Sequence, residues 1–230
     1  MVLSKEKKTA LIEFMLEAGV LRFGDFVTKS GRNTPYFLNT GEYSRGSQLE
    51  TLSSFYAETI ELAFGERAEN LYGPAYKGIP LAVATSMALH RLYQRDVTIT
   101  FNRKEAKDHG EGGVLVGESY ASLEQPVRVI LVEDVITAGT SVRESMALLE
   151  KLPNVDVQGL VVSVDRMEKG AGELSAASEI RKQYDIETVS MVNLTDILTY
   201  LRESLDLGKG VTTEAQVGEI EAYYRLHAGE

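Results

Sequence analysis

The chain has 230 residues, 43% apolar and 25% charged, which is enough for one substantial core and ordinary for a globular protein. A formal net charge of −10 speaks against a general binder of nucleic acid or anionic membrane, which needs a basic surface, but leaves room for a small anionic substrate in a local basic pocket. The lack of cysteine removes disulfides, thiolate catalysis and cysteine-held zinc together, and agrees with a cytoplasmic setting.

The N-terminus MVLSKEKK is basic, as a secretory leader would be, but Glu13 and Glu17 interrupt the apolar run that follows. It reads as an amphipathic helix with Leu11, Phe14, Met15 and Ala18 on one face. No stretch approaches the ~20 apolar residues of a membrane span. A soluble, cytoplasmic protein is expected.

The glycine-rich segment FGDFVTKSGRNTPYFLNTGEYSRGS alternates apolar positions as short strands and turns do. A helix over 47–64 follows, with Leu49, Leu52, Phe55, Tyr56, Ile60 and Ala63 as its apolar face. A strand–helix rhythm then begins. NLYGPAYKG reads as a short strand and loop, and Pro80 is suited to the first position of a helix through AVATSMALHRLY. DVTITFNRK and RVILVED are strands. SVRESMALLEKL is a helix in which Ser141 and Glu144 have capping-box spacing. VQGLVVSVDR is a strand, EIRKQY a helix piece and TVSMVN a last strand, before two tail helices, TDILTYLRES and EAQVGEIEAYYRLH.

Continuous apolar strands alternating with helices predict an α/β fold with a largely parallel sheet covered on both faces. Ligands in such folds sit beyond the C-terminal strand ends. Four successive strand ends carry polar groups here: Tyr76-Lys77, Arg103-Lys104, Glu133-Asp134 and Asp165-Arg166. One polar end means little, but four on one edge point to a site.

The stretch VILVEDVITAGTS, residues 129–141, sharpens that reading. Small residues before a helix let backbone N–H groups face an anion, with the hydroxyls of Thr140 and Ser141 as further donors. Glu133 and Asp134 would repel a bare phosphate, so they suit hydroxyls or a divalent cation. A sugar phosphate meets both demands: carboxylates accept from ribose hydroxyls while the turn holds the 5′-phosphate. The plainer alternative is that Asp134 caps a turn and Gly139 permits a tight bend.

This stretch closely resembles the phosphoribosyl-pyrophosphate (PRPP) signature of the type I phosphoribosyltransferases. GPAYKGIPLA, FNRKEAKDHGEGG, TKSGRNTPYFLN and SVDR resemble the orotate phosphoribosyltransferase family in order and spacing. Glu133 departs from the aspartate of many members, keeping the charge and adding a methylene. Leu38 stands where a second aromatic is common.

The resemblance implies a five-stranded, mainly parallel sheet flanked by helices. A hood and terminal helices would occupy about 1–45 and 195–230, around a core of 46–194 in one domain. It implies transfer of phosphoribose from PRPP to orotate, giving orotidine 5′-monophosphate and pyrophosphate in pyrimidine biosynthesis. Magnesium would be the cofactor, held mainly by substrate with no direct protein ligand, or through water to Glu133 and Asp134. A homodimer is implied in which the 103–113 loop reaches the neighbouring site. The catalytic residues by resemblance are Lys107, Arg103, Asp134 and Glu133. PRPP would meet Lys29, Tyr76, Lys77, Arg103, Lys104, Lys107, His109 and the run Glu133, Asp134, Val135, Ile136, Thr137, Ala138, Gly139, Thr140 and Ser141. Orotate would meet Lys29, Phe37, Leu38, Thr137 and Arg166.

The residues read alone leave alternatives. Arg103, Lys104, Lys107 and His109 can neutralise a leaving pyrophosphate, each charge pair at 4 Å being worth about 4 kcal/mol at an effective dielectric near 20 before desolvation; otherwise they form an ordinary solvated loop. Phe37 and Leu38 can be core, and Arg166 can pair with Asp165 or a surface carboxylate. His90 and His227 read as structural or solvated. A purine or uracil phosphoribosyltransferase, or a regulator that senses PRPP without chemistry, would use the same fold. Neither GxGxxG nor GxxxxGK[ST] occurs, which disfavours a nicotinamide or ATP enzyme.

Overall fold

A computed structural model of the chain describes residues 2–27, 33–107 and 113–229. The elements in chain order are α1 (Lys5–Glu17), β1 (Leu21–Val27), β2 (Asn33–Leu38), α2 (Gly46–Ala63), β3 (Asn70–Tyr72), α3 (Gly78–Tyr93), β4 (Thr98–Lys107) and β5 (Gly113–Gly117). They continue with β6 (Val127–Ile136), α4 (Thr140–Leu149), β7 (Val155–Asp165), α5 (Ala176–Tyr184), β8 (Glu187–Asn193), α6 (Leu194–Asp206) and α7 (Glu214–His227). Three single 3₁₀ turns sit between them, at Thr40–Glu42, Gly65–Arg67 and Tyr120–Ser122. No helix among the described residues is long and apolar enough to cross a membrane.

The main sheet has six strands in the order β5-β4-β3-β6-β7-β8. Five of them are parallel, as anticipated; the sixth, β5, runs antiparallel to β4 at the edge. β1 and β2 form a separate antiparallel ribbon, with α1 against β1 and α7 against β2.

The parity of β6 explains why it reads as a continuous apolar run. Successive side chains alternate faces, so a strand covered on both sides needs apolar residues at every position. Ile130 and Val132 enter the core formed with α1, α2, α3 and α6. Val129 and Leu131 enter the second core, against Val142, Met146 and Leu149 of α4 and Ile180 of α5. All four strand residues are completely buried.

Several predicted boundaries move. α3 begins at Gly78, two residues before Pro80. The proline therefore sits inside the first turn, where a missing N–H costs no helical hydrogen bond. The anticipated Ser141–Glu144 capping box is not made: Gly139, at φ +70°, is the N-cap of α4, and Ser141 spends its hydroxyl elsewhere. A capping box does start α6, where Asn193 and Asp196 exchange bonds of 2.9 and 3.0 Å. Asp196 also receives Lys8 of α1 at 2.8 Å, tying the first helix to the sixth.

Candidate active site

Of the four polar pairs, Tyr76-Lys77 meets Glu133-Asp134 at the tip of β6, Arg103-Lys104 stands inside β4 instead of at its end, and Arg166 turns to Glu168. The pleat that splits the core also splits the two carboxylates. Glu133 continues the parity of Val129 and Leu131, so it turns toward α4 and accepts a 2.5 Å hydrogen bond from Ser141 Oγ. Asp134 follows Ile130 and Val132 to the opposite side, where Lys77 Nζ reaches its Oδ2 at 3.0 Å and the Thr40 hydroxyl donates to the same oxygen. Lys77 also lies 3.0 Å from Thr40 Oγ1, closing a triangle of acid, cation and hydroxyl.

The backbone beneath the two acids is fixed from neighbouring elements. Tyr56 of α2, wholly buried and with its phenol pushed well above the ordinary value by that burial, donates to the Glu133 carbonyl at 2.6 Å. Ser163 of β7 donates to the Asp134 carbonyl at 2.6 Å. Burial, opposed by the Ser141 hydrogen bond and reinforced by the Asp134 charge, pushes the Glu133 carboxyl up to about 7. Glu133 is thus a built-in group, while Asp134 faces the loops.

Loop 73–78 brings Lys77 to the site through close packing that only glycine permits. A Cβ on Gly73 would stand 2.2 Å from the Gly78 carbonyl oxygen, so the loop folds onto the start of α3. The Ala75–Tyr76 peptide is cis. Asn102, midway along β4, accepts from the Ala75 N–H at 2.9 Å, and Lys104 Nζ lies 5.1 Å over the Tyr76 ring. Between this loop and α4 is a cavity of about 290 Å³ whose lining includes Tyr72, Asn102, Arg103, Lys104, Ser141 and Ser145. The Arg103 and Lys104 cations on that wall face one acid, Glu144, and an apolar remainder of Pro74, Ala75 and Leu148, so the wall carries a net positive charge that suits an anion.

The turn after β6 presents Thr137, Ala138 and Thr140 to solvent around a buried Gly139. The glycine is required twice, by its left-handed φ and because a Cβ would meet Ile180 Cδ1 at 2.7 Å. Arg143 of α4 reaches back to the Ala138 carbonyl at 2.6 Å and is itself held by Glu179 at 2.7 Å. The start of a ten-residue helix then lies directly behind the turn.

The phosphoribosyl transferase domain family matches residues 40–191, the stretch that holds every feature just described. Over 226 residues the chain is 47% identical to the orotate phosphoribosyltransferase of Clostridium beijerinckii, covering 98% of this chain and 100% of that one. The chain belongs to the orotate phosphoribosyltransferase family. It is likewise 47% identical over 221 residues to the Clostridium acetobutylicum relative, covering 96% of this chain and 97% of that one. The crystal structure of the Francisella tularensis orotate phosphoribosyltransferase superposes with a TM-score of 0.80 at 35% identity, covering 96% of this chain and 100% of that one.

The remaining family positions fall in several places. Lys29 and His109 lie outside the described residues, and of Lys107 only the backbone, the last residue of β4, is described. Val135 is half-buried and Ile136 buried on β6, so both serve the strand as well as the turn. Phe37 and Leu38 of β2 are half-buried, and Phe37 stacks on Phe26 across the ribbon at 5.3 Å. Arg166 is buried and pairs with Glu168 at 2.6 Å, not with Asp165, which instead accepts from the Met167 N–H at 2.8 Å. His90 lies in α3, and the His227 ring is 4.5 Å from that of Tyr223 in α7.

Thr40, Asn102 and Arg143 were not picked out from the sequence. Only Asn102 carried a signal, standing directly before Arg103-Lys104. Thr40 lies 94 residues from its acid partner and carries no local pattern.

Proposed function

We infer that this chain transfers the 5-phosphoribosyl group of PRPP to orotate, giving orotidine 5′-monophosphate and pyrophosphate in pyrimidine biosynthesis. The observation that carries the reading is the triangle of Asp134, Lys77 and Thr40 beside the Gly139 turn. It joins an acceptor for ribose hydroxyls, a cation for a diphosphate and a backbone cradle for a 5′-phosphate at one strand tip. Thr137 to Ser141 would hold the phosphate, with Val135 and Ile136 setting the turn's height above the sheet. Asp134 would hold the ribose and Glu133 would brace the turn through Ser141. Tyr76 and Lys77 would meet the pyrophosphate.

Arg103, Lys104, Lys107 and His109 supply cations to the leaving group, and the 103–113 loop does so in the partner of a homodimer. Lys29, Phe37, Leu38, Thr137 and Arg166 face orotate, under a hood built from the β1–β2 ribbon and the terminal helices. Departure of pyrophosphate leads or matches base attack, so positioning and fixed charge near the developing anion carry the catalysis. Among the described residues no three acidic or histidine side chains gather into a metal cage. Of the two acids only Asp134 faces the loop side, which suits magnesium carried mainly on substrate oxygens and touching protein at most through water. Bound there, the ion would neutralise diphosphate charge. A cytoplasmic setting agrees with the cysteine-free composition and with the pathway.

The test mixes the purified chain with PRPP, magnesium and orotate and follows orotate absorbance. Loss of absorbance with equal release of pyrophosphate is expected. Turnover of adenine, hypoxanthine or uracil in place of orotate would move the activity to another base, and PRPP binding without turnover of any base would make the chain a sensor.

A further inference from the structure

The chain after β7 makes a buried knot that reaches to the far C-terminus. Arg166 and Glu168 are both buried, and Arg166 Nε and Nη2 meet Glu168 Oε1 at 2.8 and 2.6 Å. Tyr223 of α7 donates to that same oxygen at 2.9 Å, and the Tyr36 hydroxyl of β2 lies 3.5 Å from it. The Arg166 guanidinium carbon sits 4.4 Å over the Tyr36 ring, and Nη2 is 3.5 Å from Thr34 Oγ1. The backbone repeats the connection. Lys169 N–H donates to the His227 carbonyl and Gly229 N–H to the Met167 carbonyl, each at 3.0 Å. The segment following Arg166 is thus laced to the end of α7 by main chain and side chain together.

A guanidinium pinned along its Nε–Nη2 edge and covered by an aromatic face can present its remaining edge in one direction only. Recognition of a planar, anionic base depends on that direction. We propose that Tyr223 and Glu168 are positioning residues for the base: α7 aims the Arg166 fork, so affinity for orotate is set partly by the C-terminal helix. The proposal rests on the reading above that Arg166 meets orotate.

Tyr223→Phe removes one hydroxyl and keeps the ring that stands edge-on to Tyr36 at 5.9 Å. It should raise the KM for orotate about fivefold to tenfold, a fraction of the full effect of losing a hydrogen bond to a charged acceptor, because the hydroxyl reaches the base only through Glu168 and Arg166. kcat at saturating orotate and the KM for PRPP should stay near those of the parent chain, while the melting temperature falls by several degrees as a buried hydrogen bond is lost. Glu168→Gln, which keeps the shape and weakens the grip on Arg166, should raise the KM for orotate further with the same selectivity.

Arg166→Lys is the control for the underlying reading. If it leaves the KM for orotate unchanged, Arg166 does not meet the base, and reading and proposal fall together. If it raises that KM while Tyr223→Phe and Glu168→Gln leave it within about twofold, the reading stands and the proposal is overturned. A Tyr223→Phe protein that melts lower with no selective change in the KM for orotate overturns it equally, because the hydroxyl then serves only the fold.

Discussion

Gly139→Ala tests the phosphate turn most directly, because the structure gives each contribution to its cost. Gly139 has φ +70° and ψ 15°, a left-handed conformation that costs an alanine roughly 1–2 kcal/mol. The new methyl would stand 2.7 Å from Ile180 Cδ1 and 3.0 Å from Arg143 Nη1. Ile180 is completely buried, so it can yield only by disturbing the core between β6 and α5, an overpacking cost of roughly 1–3 kcal/mol. The total is about 2–5 kcal/mol. If the turn holds its shape, the cost appears as stability, and the melting temperature falls by roughly 2–4 °C per kcal/mol for a chain of this size. If the turn relaxes, its N–H groups shift relative to the phosphate, and a displacement near 1 Å costs about 100-fold in catalysis. Thermal melts together with kcat/KM for PRPP at saturating orotate read both routes. A variant that melts with the parent and keeps its kcat/KM for PRPP would refute the account of this turn.

Asp134→Asn preserves the size of the side chain but removes the negative charge that the Lys77 ammonium, the Thr40 hydroxyl and the Val135 N–H all donate to. Allowing for the exposure of Lys77, we expect kcat/KM for PRPP to fall by roughly 10- to 100-fold with little change in fold, read by steady-state kinetics and circular dichroism. Lys107→Ala should lower turnover far more than it weakens orotate binding, measured by pairing stopped-flow rates with calorimetric titration of orotate; unchanged turnover would remove the basic loop from the chemistry. Glu133 has a folded carboxyl raised to about 7 against an ordinary value of 4.5. The folded chain therefore binds this proton more tightly than the unfolded chain. The stability it contributes is fully present below about pH 4.5 and is lost as pH rises through 7. Glu133→Gln should remove that loss, so urea unfolding of parent and variant should diverge between pH 5 and 7.5 in the variant's favour, and parallel curves would contradict the assigned environment.

Much of this was readable in the sequence because it is written locally. A strand covered on both faces must be apolar throughout, so β6 declared itself, and the small-residue turn after it had to precede a helix. β5 escaped notice because GVLVG is a short edge strand beside a charged, glycine-rich segment. The capping box expected at Ser141 failed for a tertiary reason. The Glu133 carboxylate is buried and needs a donor, and Ser141 Oγ at 2.5 Å supplies it in preference to the helix backbone. Of the carboxylates open to Arg166, Glu168 takes it because the adjacent Asp165 closes a turn with Met167. The Glu168 knot uses residues 55 and 132 positions away, beyond any periodicity.

The alternation that sends Glu133 and Asp134 to opposite faces has a practical result for ligand design. A compound entering from the side of loop 73–78 encounters a single negative charge already escorted by an ammonium group, so a donor meant to displace Lys77 competes with one ion pair instead of a double anion. Chemistry aimed at the other carboxyl would have to pry Ser141 away from it and disturb the start of α4. The two acids are neighbours in the chain but separate targets.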